Sequence, residues 1–210
     1  MLRTFASLAA FAAITFALSP DAHAKDLEGE VAVGAGFATG AGAITGPNFP
    51  LGPGAITSMN PYGLGVSLRG GVSFHDVYFG VRAIDWTGSH HGAETAVQLG
   101  GELGYSFRFL DGLLVLRPKV GLGVMTYGGA EDDVYIVNAD GTPYVTNRIQ
   151  FGSNLYVEPG ALLTCSFGRG SAFFVGAEVD ALLVPSVARE NGTHAAVSSL
   201  ALGLELGVRF

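Results

Sequence analysis

The sequence predicts an all-β fold, an eight-stranded antiparallel up-and-down transmembrane β-barrel, from three observations. Eight segments alternate apolar residues with small or charged ones at a period of two, which sends neighbouring side chains of a strand to opposite faces. The chain is 49% hydrophobic and only 14% charged, where a soluble domain carries about 25% charged residues. Yet no apolar run of spanning length follows the N-terminal region, and a barrel hides its membrane signal in alternation. Third, the connections alternate short and long, as the turns and loops of such barrels do.

The first residues read as an address. Arg3 supplies a positive start, Leu8 to Leu18 is an apolar run, and Ala22-His23-Ala24 has the small-x-small form of a cleavage site. Spanning a bilayer takes about 20 apolar residues, so the run is too short for an anchor. Residues 1–24 are therefore expected to be a cleaved signal peptide, and residues 25–210 the barrel domain.

The strands are expected at 27–39, 63–75, 77–87, 95–109, 113–127, 153–167, 172–184 and 197–210. Leu64, Val66, Leu68, Val72 and Phe74 form the apolar parity of the second, against Ser67, Arg69, Gly71 and Ser73. In the third, Asp85 falls on the apolar parity near the strand's end. The fourth sets Val97, Leu99, Leu103, Tyr105, Phe107 and Phe109 against Gln98, Glu102, Ser106 and Arg108. The fifth sets Leu114, Leu116, Val120, Leu122 and Val124 against Arg117, Lys119 and two glycines. The seventh sets Phe173, Val175, Val179 and Leu183 against Gly176, Glu178 and Asp180. The last, LALGLELGVRF, sets Leu200, Leu202, Leu204, Leu206, Val208 and Phe210 against Glu205, Arg209 and small residues. Exposed to water, that stripe would be an aggregation hazard; facing lipid, it is ordinary.

Tight connections lie at His75-Asp76, Leu110-Asp111-Gly112 and Gly168-Arg169-Gly170-Ser171. Long ones lie between them, above all 40–62 and 128–152, the second holding Glu131-Asp132-Asp133 and Asp140-Gly141. Even strand number returns both termini to one side, with the short turns.

On its signal ending, its turn and loop alternation and its terminal strand closing on Phe210, the mature chain resembles the small eight-stranded outer-membrane β-barrels of the OmpX/OmpA transmembrane-barrel type. The resemblance implies residence in the cell outer membrane after export. It also implies assembly by the outer-membrane barrel insertion machinery, which reads an aromatic C-terminal residue such as Phe210.

Thirteen charges fall on the non-lipid parity: Glu28, Glu30, Arg69, Arg82, Glu102, Arg108, Arg117, Lys119, Glu158, Glu178, Asp180, Glu205 and Arg209. Eight strands enclose just enough room for side chains. Confined charges of both signs are expected to form a salt-bridged plug. A narrow ion path is the competing reading. Phe74, Phe79, Phe107, Phe109, Phe167, Phe173 and Phe210 sit beside the short turns, while Trp86 and Tyr127, with Phe37, sit near the opposite edge. Both sets are expected at the membrane interfaces.

No catalytic, cofactor or metal constellation emerges. His90-His91 point apart on extended chain and lack a completing Cys or carboxylate. His194 and Ser198 share a parity, as a lipid A-modifying barrel enzyme would need. Four strand residues, however, separate them by about 13 Å, beyond hydrogen-bond reach. Glu131-Asp132-Asp133 is either a solvated loop or a holder of cations bridging lipopolysaccharide phosphates. Cys165, the single cysteine, excludes an internal disulfide. The net charge of −7 argues against nucleic acid. The expected protein is a monomer whose partners are membrane lipids and lipopolysaccharide, with a structural or surface-interaction role in envelope integrity, adhesion or stress resistance.

Overall fold

Period-two alternation becomes strand almost throughout. The computed structural model describes residues 27–40, 62–87, 95–128, 135–137, 143–145, 152–167, 172–188 and 194–210. The elements are β1 (Leu27–Gly40), β2 (Gly63–Phe74), β3 (Val77–Thr87), β4 (Thr95–Tyr105), β5 (Phe107–Phe109), β6 (Leu114–Gly128), β7 (Tyr135–Val137), β8 (Pro143–Val145), β9 (Gly152–Phe167), β10 (Phe173–Ala188) and β11 (His194–Arg209). A single 3-10 turn, Leu110–Gly112, joins β5 to β6. The N-terminal segment, His90-His91, Glu131-Asp132-Asp133 and the Gly168–Ser171 turn lie outside the described residues, as do the side chains of Tyr127 and His194.

Each barrel strand pairs antiparallel with its chain neighbours, β4 pairs with β6, and β1 pairs with β11. The sheet is thus a closed eight-stranded up-and-down barrel, with β4 and β5 together forming one staple of the wall. Closure reaches the last residue: the Phe210 N–H donates to the Gly29 carbonyl at 3.0 Å, and the Gly29 N–H donates to the Phe210 carbonyl at 2.8 Å. Closure thus leaves the barrel sheet itself without an edge strand.

One end of the barrel carries the short turns and both barrel termini; the other carries the long connections. His75 and Asp76 both adopt positive φ (48° and 69°), the left-handed geometry that matches a two-residue hairpin turn to strand twist. The three-residue turn after β5 likewise uses positive φ at Leu110, Asp111 and Gly112.

Prolines mark where the ladder departs from the expected segments. The expected strand 95–109 divides at Ser106, next to Tyr105, which in this register faces Pro118 of β6, a residue with no N–H to give. Register resumes unchanged at Phe107↔Leu116. The seventh strand does not stop at Val184. It runs through Pro185 to Ala188, with an extra residue accommodated as a bulge between Val184 and Val187 opposite β11. β11 correspondingly begins at His194. Inside the long connection after β6, β7 and β8 pair as a separate hairpin, Tyr135↔Val145 to Val137↔Pro143. The Asp140-Gly141 turn signal falls between these two strands in the sequence.

The apolar parity faces outward, with Val33, Leu64, Val81, Leu122, Leu155 and Leu204 all more than half exposed. In water, burying that stripe would be the dominant driving force; here it forms a continuous outer belt. Packing happens inside the barrel instead, and glycine makes the room. A Cβ on Gly65 would lie 2.8 Å from Trp86 Cζ3, and one on Gly71 would lie 2.6 Å from Tyr78 Cζ.

Candidate functional site

Alternation fixes that Arg69, Arg82, Arg117 and Lys119 face one way, and closure makes that way the lumen. Of the thirteen charges expected there, eleven are buried inside the barrel. Glu28 and Arg108 are not. They form the rim at the turn end, where Arg108 Nη2 donates to Glu28 Oε2 and its Nε to Asp76 Oδ1, both at 2.6 Å. Their side chains are 30% and 39% exposed, so this pair is partly bathed in solvent.

Just above the rim lies a carboxylate clamp. Glu30 of β1 takes both Nη groups of Arg117 from β6, with Nη2 at 2.9 Å, while Arg209 Nε of β11 stands 3.5 Å away. Each arginine is also held by hydroxyls and by a ring. Arg117 Nε donates to Ser106 Oγ at 3.0 Å and its guanidinium lies 4.0 Å from the centre of the Tyr78 ring. Arg209 donates to Ser166 Oγ and Thr164 Oγ1 at 2.8 and 2.7 Å and lies 4.6 Å from the centre of Phe174. Bidentate, charge-assisted bonds plus stacking fix these groups in one geometry.

The middle of the lumen is a denser lattice. Lys119 Nζ sits 2.9 Å from both Glu102 Oε1 and Asp180 Oδ1. Arg69 pairs with Glu178 at 3.1 Å and with Glu205. Arg82 is the hub: it pairs with Glu178, with Asp180 at 2.8 Å, with Glu158 at 3.5 Å and with Glu102 at 3.7 Å. The hub follows from register, since Arg82 stands opposite Arg69 across β2–β3 and opposite Gly100 across β3–β4. From there its guanidinium reaches across the lumen to Glu158 of β9 and to Glu178 and Asp180 of β10.

Towards the loop end the lining changes character. Ala38, Tyr62, Ile84, Trp86, Ala96, Met125, Tyr156, Leu182, Val184 and Ala201 form one buried apolar cluster. The salt-bridged plug expected from alternation therefore occupies only part of the lumen, and this apolar cluster fills the rest. The two layers meet at a hydrogen-bond chain: Trp86 Nε1 donates to Gln98 Oε1 at 3.1 Å, and Gln98 Nε2 donates to Glu158 Oε2 at 2.6 Å.

This overturns the expected place of Trp86, which is 2% exposed inside the barrel instead of at an outer interface. Its parity is that of Arg82 and Ile84, so the signal was present in the segment's alternation. The aromatics named for the turn end, Phe74, Phe79, Phe107, Phe109, Phe167, Phe173 and Phe210, are all outward and about half exposed, and Tyr105 joins them. Phe37 is outward as well. His194 and Ser198 sit on one continuous strand, four residues apart, and β-strand rise keeps their backbones about 13 Å apart.

Comparison with known proteins gives a likeness of structure. No family model matches the chain, and no curated protein matches its sequence. Neisserial surface protein A superposes with a TM-score of 0.54 at 12% identity, covering 88% of this chain and 97% of that one. The N-terminal barrel of Pseudomonas aeruginosa OprF (TM-score 0.47, 14% identity, 86% and 97% covered) and Yersinia pestis Ail, the attachment invasion locus protein (0.46, 15%, 88% and 99%), are also matched. The chain therefore has the fold of the small eight-stranded outer-membrane β-barrels.

Proposed function

We propose that the protein resides in the bacterial outer membrane, exported by residues 1–24, with its lumen sealed and its long connections facing outward as the working surface. On this reading its role is structural or surface-interacting, in envelope integrity, adhesion or stress resistance, and it acts as a monomer without catalysis. Its partners are membrane lipids and lipopolysaccharide, and the exposed Phe210 is the residue its insertion machinery reads.

The observation that carries the reading is the lumen. Paired charges fill its middle and an apolar cluster fills its outer half. A water-filled path for ions would have to cross both. The outward belt with aromatics concentrated at the turn end supports placement in a bilayer.

Two measurements test it together. Heat-modifiable gel migration in an isolated outer-membrane fraction is expected; a chain that stays in the soluble periplasmic fraction overturns the location. In planar bilayers the pure protein is expected to give no stable conductance, and sizeable stable steps would overturn the seal.

A further inference from the structure

One charge of the barrel wall stands apart from the lumen. Asp85 of β3 shares its parity with Phe79 and Val81, which face outward and are 54% and 60% exposed. Ile84 and Trp86, on either side of it, are buried inside. Asp85 itself is partly exposed. It lies within the ladder, opposite Val66 of β2 and Val97 of β4, and pairing continues past it to Leu64↔Thr87 and Thr87↔Thr95. The apolar wall continues past it as well, since Leu64, two ladder positions nearer the long connections, is outward and 68% exposed. A carboxylate therefore sits inside the upper margin of the lipid-facing belt.

Among the described residues no cation lies on this wall. Arg69, Arg82, Arg117, Lys119 and Arg209 are buried on the lumen side, and Arg108 is at the turn-end rim. An ionisable side chain on the membrane-spanning part of a protein is costly to keep without a partner, and such a residue marks a site. Here the partner has to come from the surrounding membrane.

The neighbours of Asp85 define the chemistry of that partner. Thr87 is exposed on the same strand, about 7 Å nearer the loop end by strand rise, and Thr126 is exposed in the same row two strands away, about 10 Å off. One carboxylate and two hydroxyls thus offer oxygen alone beside Val66, Val97 and Leu64. Lipid phosphates at this level are anionic, and a bare carboxylate repels them. A hard divalent cation reverses the sign of the contact, because it takes oxygen ligands from both sides. Magnesium in particular keeps several waters and is held by one or two carboxylates together with phosphates, so a single aspartate suffices when the lipid supplies the phosphate.

We propose that Asp85, with Thr87 and Thr126 beside it, is a lipid-anchoring site, where a divalent cation joins the barrel wall to the phosphate of an outer-leaflet lipid. The proposal rests on the membrane placement and orientation argued above, and adds the point at which the lipid is held.

The test is thermal stability in phosphatidylglycerol vesicles, with magnesium chloride or with chelator, read as the temperature at which the folded, fast-migrating band is lost. Magnesium is expected to raise that temperature, and chelator to remove the rise. Asp85→Asn is expected to lose most of the rise; Asp85→Glu, which keeps the charge, is expected to retain it. Asp111→Asn removes an exposed carboxylate at a turn on the opposite end of the barrel, and is the control expected to respond as the unmodified protein does. Should Asp85→Asn fail to fold, Asp85→Ser takes its place in the comparison. An equal rise for Asp85→Asn and the unmodified protein overturns the cation site while leaving the membrane placement intact. A penalty for Asp85→Asn in phosphatidylethanolamine vesicles under chelator, with magnesium adding nothing in either lipid, assigns the contact to the lipid ammonium and overturns the cation site too. Failure of the unmodified chain to fold into either kind of vesicle overturns the placement itself, and the proposal with it.

Discussion

The lower and outer halves of the lumen are lined by the same parity of the same strands, yet they are filled by opposite means. Around Arg82 the interior is a lattice of ion pairs; around Trp86 and Leu182 it is hydrocarbon and aromatic. The lattice is specified by direction and charge, and each member holds others in place. The apolar layer is specified by volume alone, and deforms more cheaply. A barrel of this size thus carries a middle fixed by directional bonds and an outer end fixed by volume.

The largest effect that separates the halves is expected from Arg82→Leu. It leaves Glu102, Glu158, Glu178 and Asp180 short of their shared cation, and an uncompensated buried charge costs about 3–5 kcal/mol. Urea titration of the folded, fast-migrating band measures it; a loss below that of any apolar truncation would mean the middle is wetter than its burial indicates. Leu182→Ala, at 0% exposure, is expected to cost about 2–5 kcal/mol by the lost contacts and the cavity left behind. Its value sharpens the comparison: a result at the low end signals an outer layer that collapses to fill the space.

The junction comes next. Gln98→Leu breaks both the Trp86 and the Glu158 hydrogen bonds, for an expected loss of about 1–3 kcal/mol. Because Trp86 is the only tryptophan, a shift in its emission reads the same change optically, and an unmoved spectrum would show the two layers to be uncoupled. The smallest effect belongs to the rim. Glu28→Gln, at the part-exposed pair with Arg108, is expected to cost about 0–1 kcal/mol. That cost should fade in high salt, where exposed pairs are screened and buried ones are not. A salt-independent rim would place it within the buried lattice.

Particular residues show where sequence reading stops. The turn at His75-Asp76 and the strand limits of β3 were legible, because local alternation and turn chemistry act over a few residues. The end of β10 was not. Pro185 reads as a strand breaker, and only the bulge opposite β11 lets the strand continue past it. Nor was the hairpin of β7 and β8 foreseen, since three-residue strands carry too short an alternation to stand out.

Period two by itself determined the face each side chain takes, and with it the eight strands and the separation of charged from apolar walls. Alternation is a property of one strand and needs no partner. Height in the barrel was another matter. It depends on the register between strands far apart in the sequence, and only closure brings Arg82 to Asp180, or Trp86 to Leu182. The tertiary structure alone therefore decided which charges meet, that Trp86 turns inward, and that the lumen divides into a charged middle and an apolar outer half.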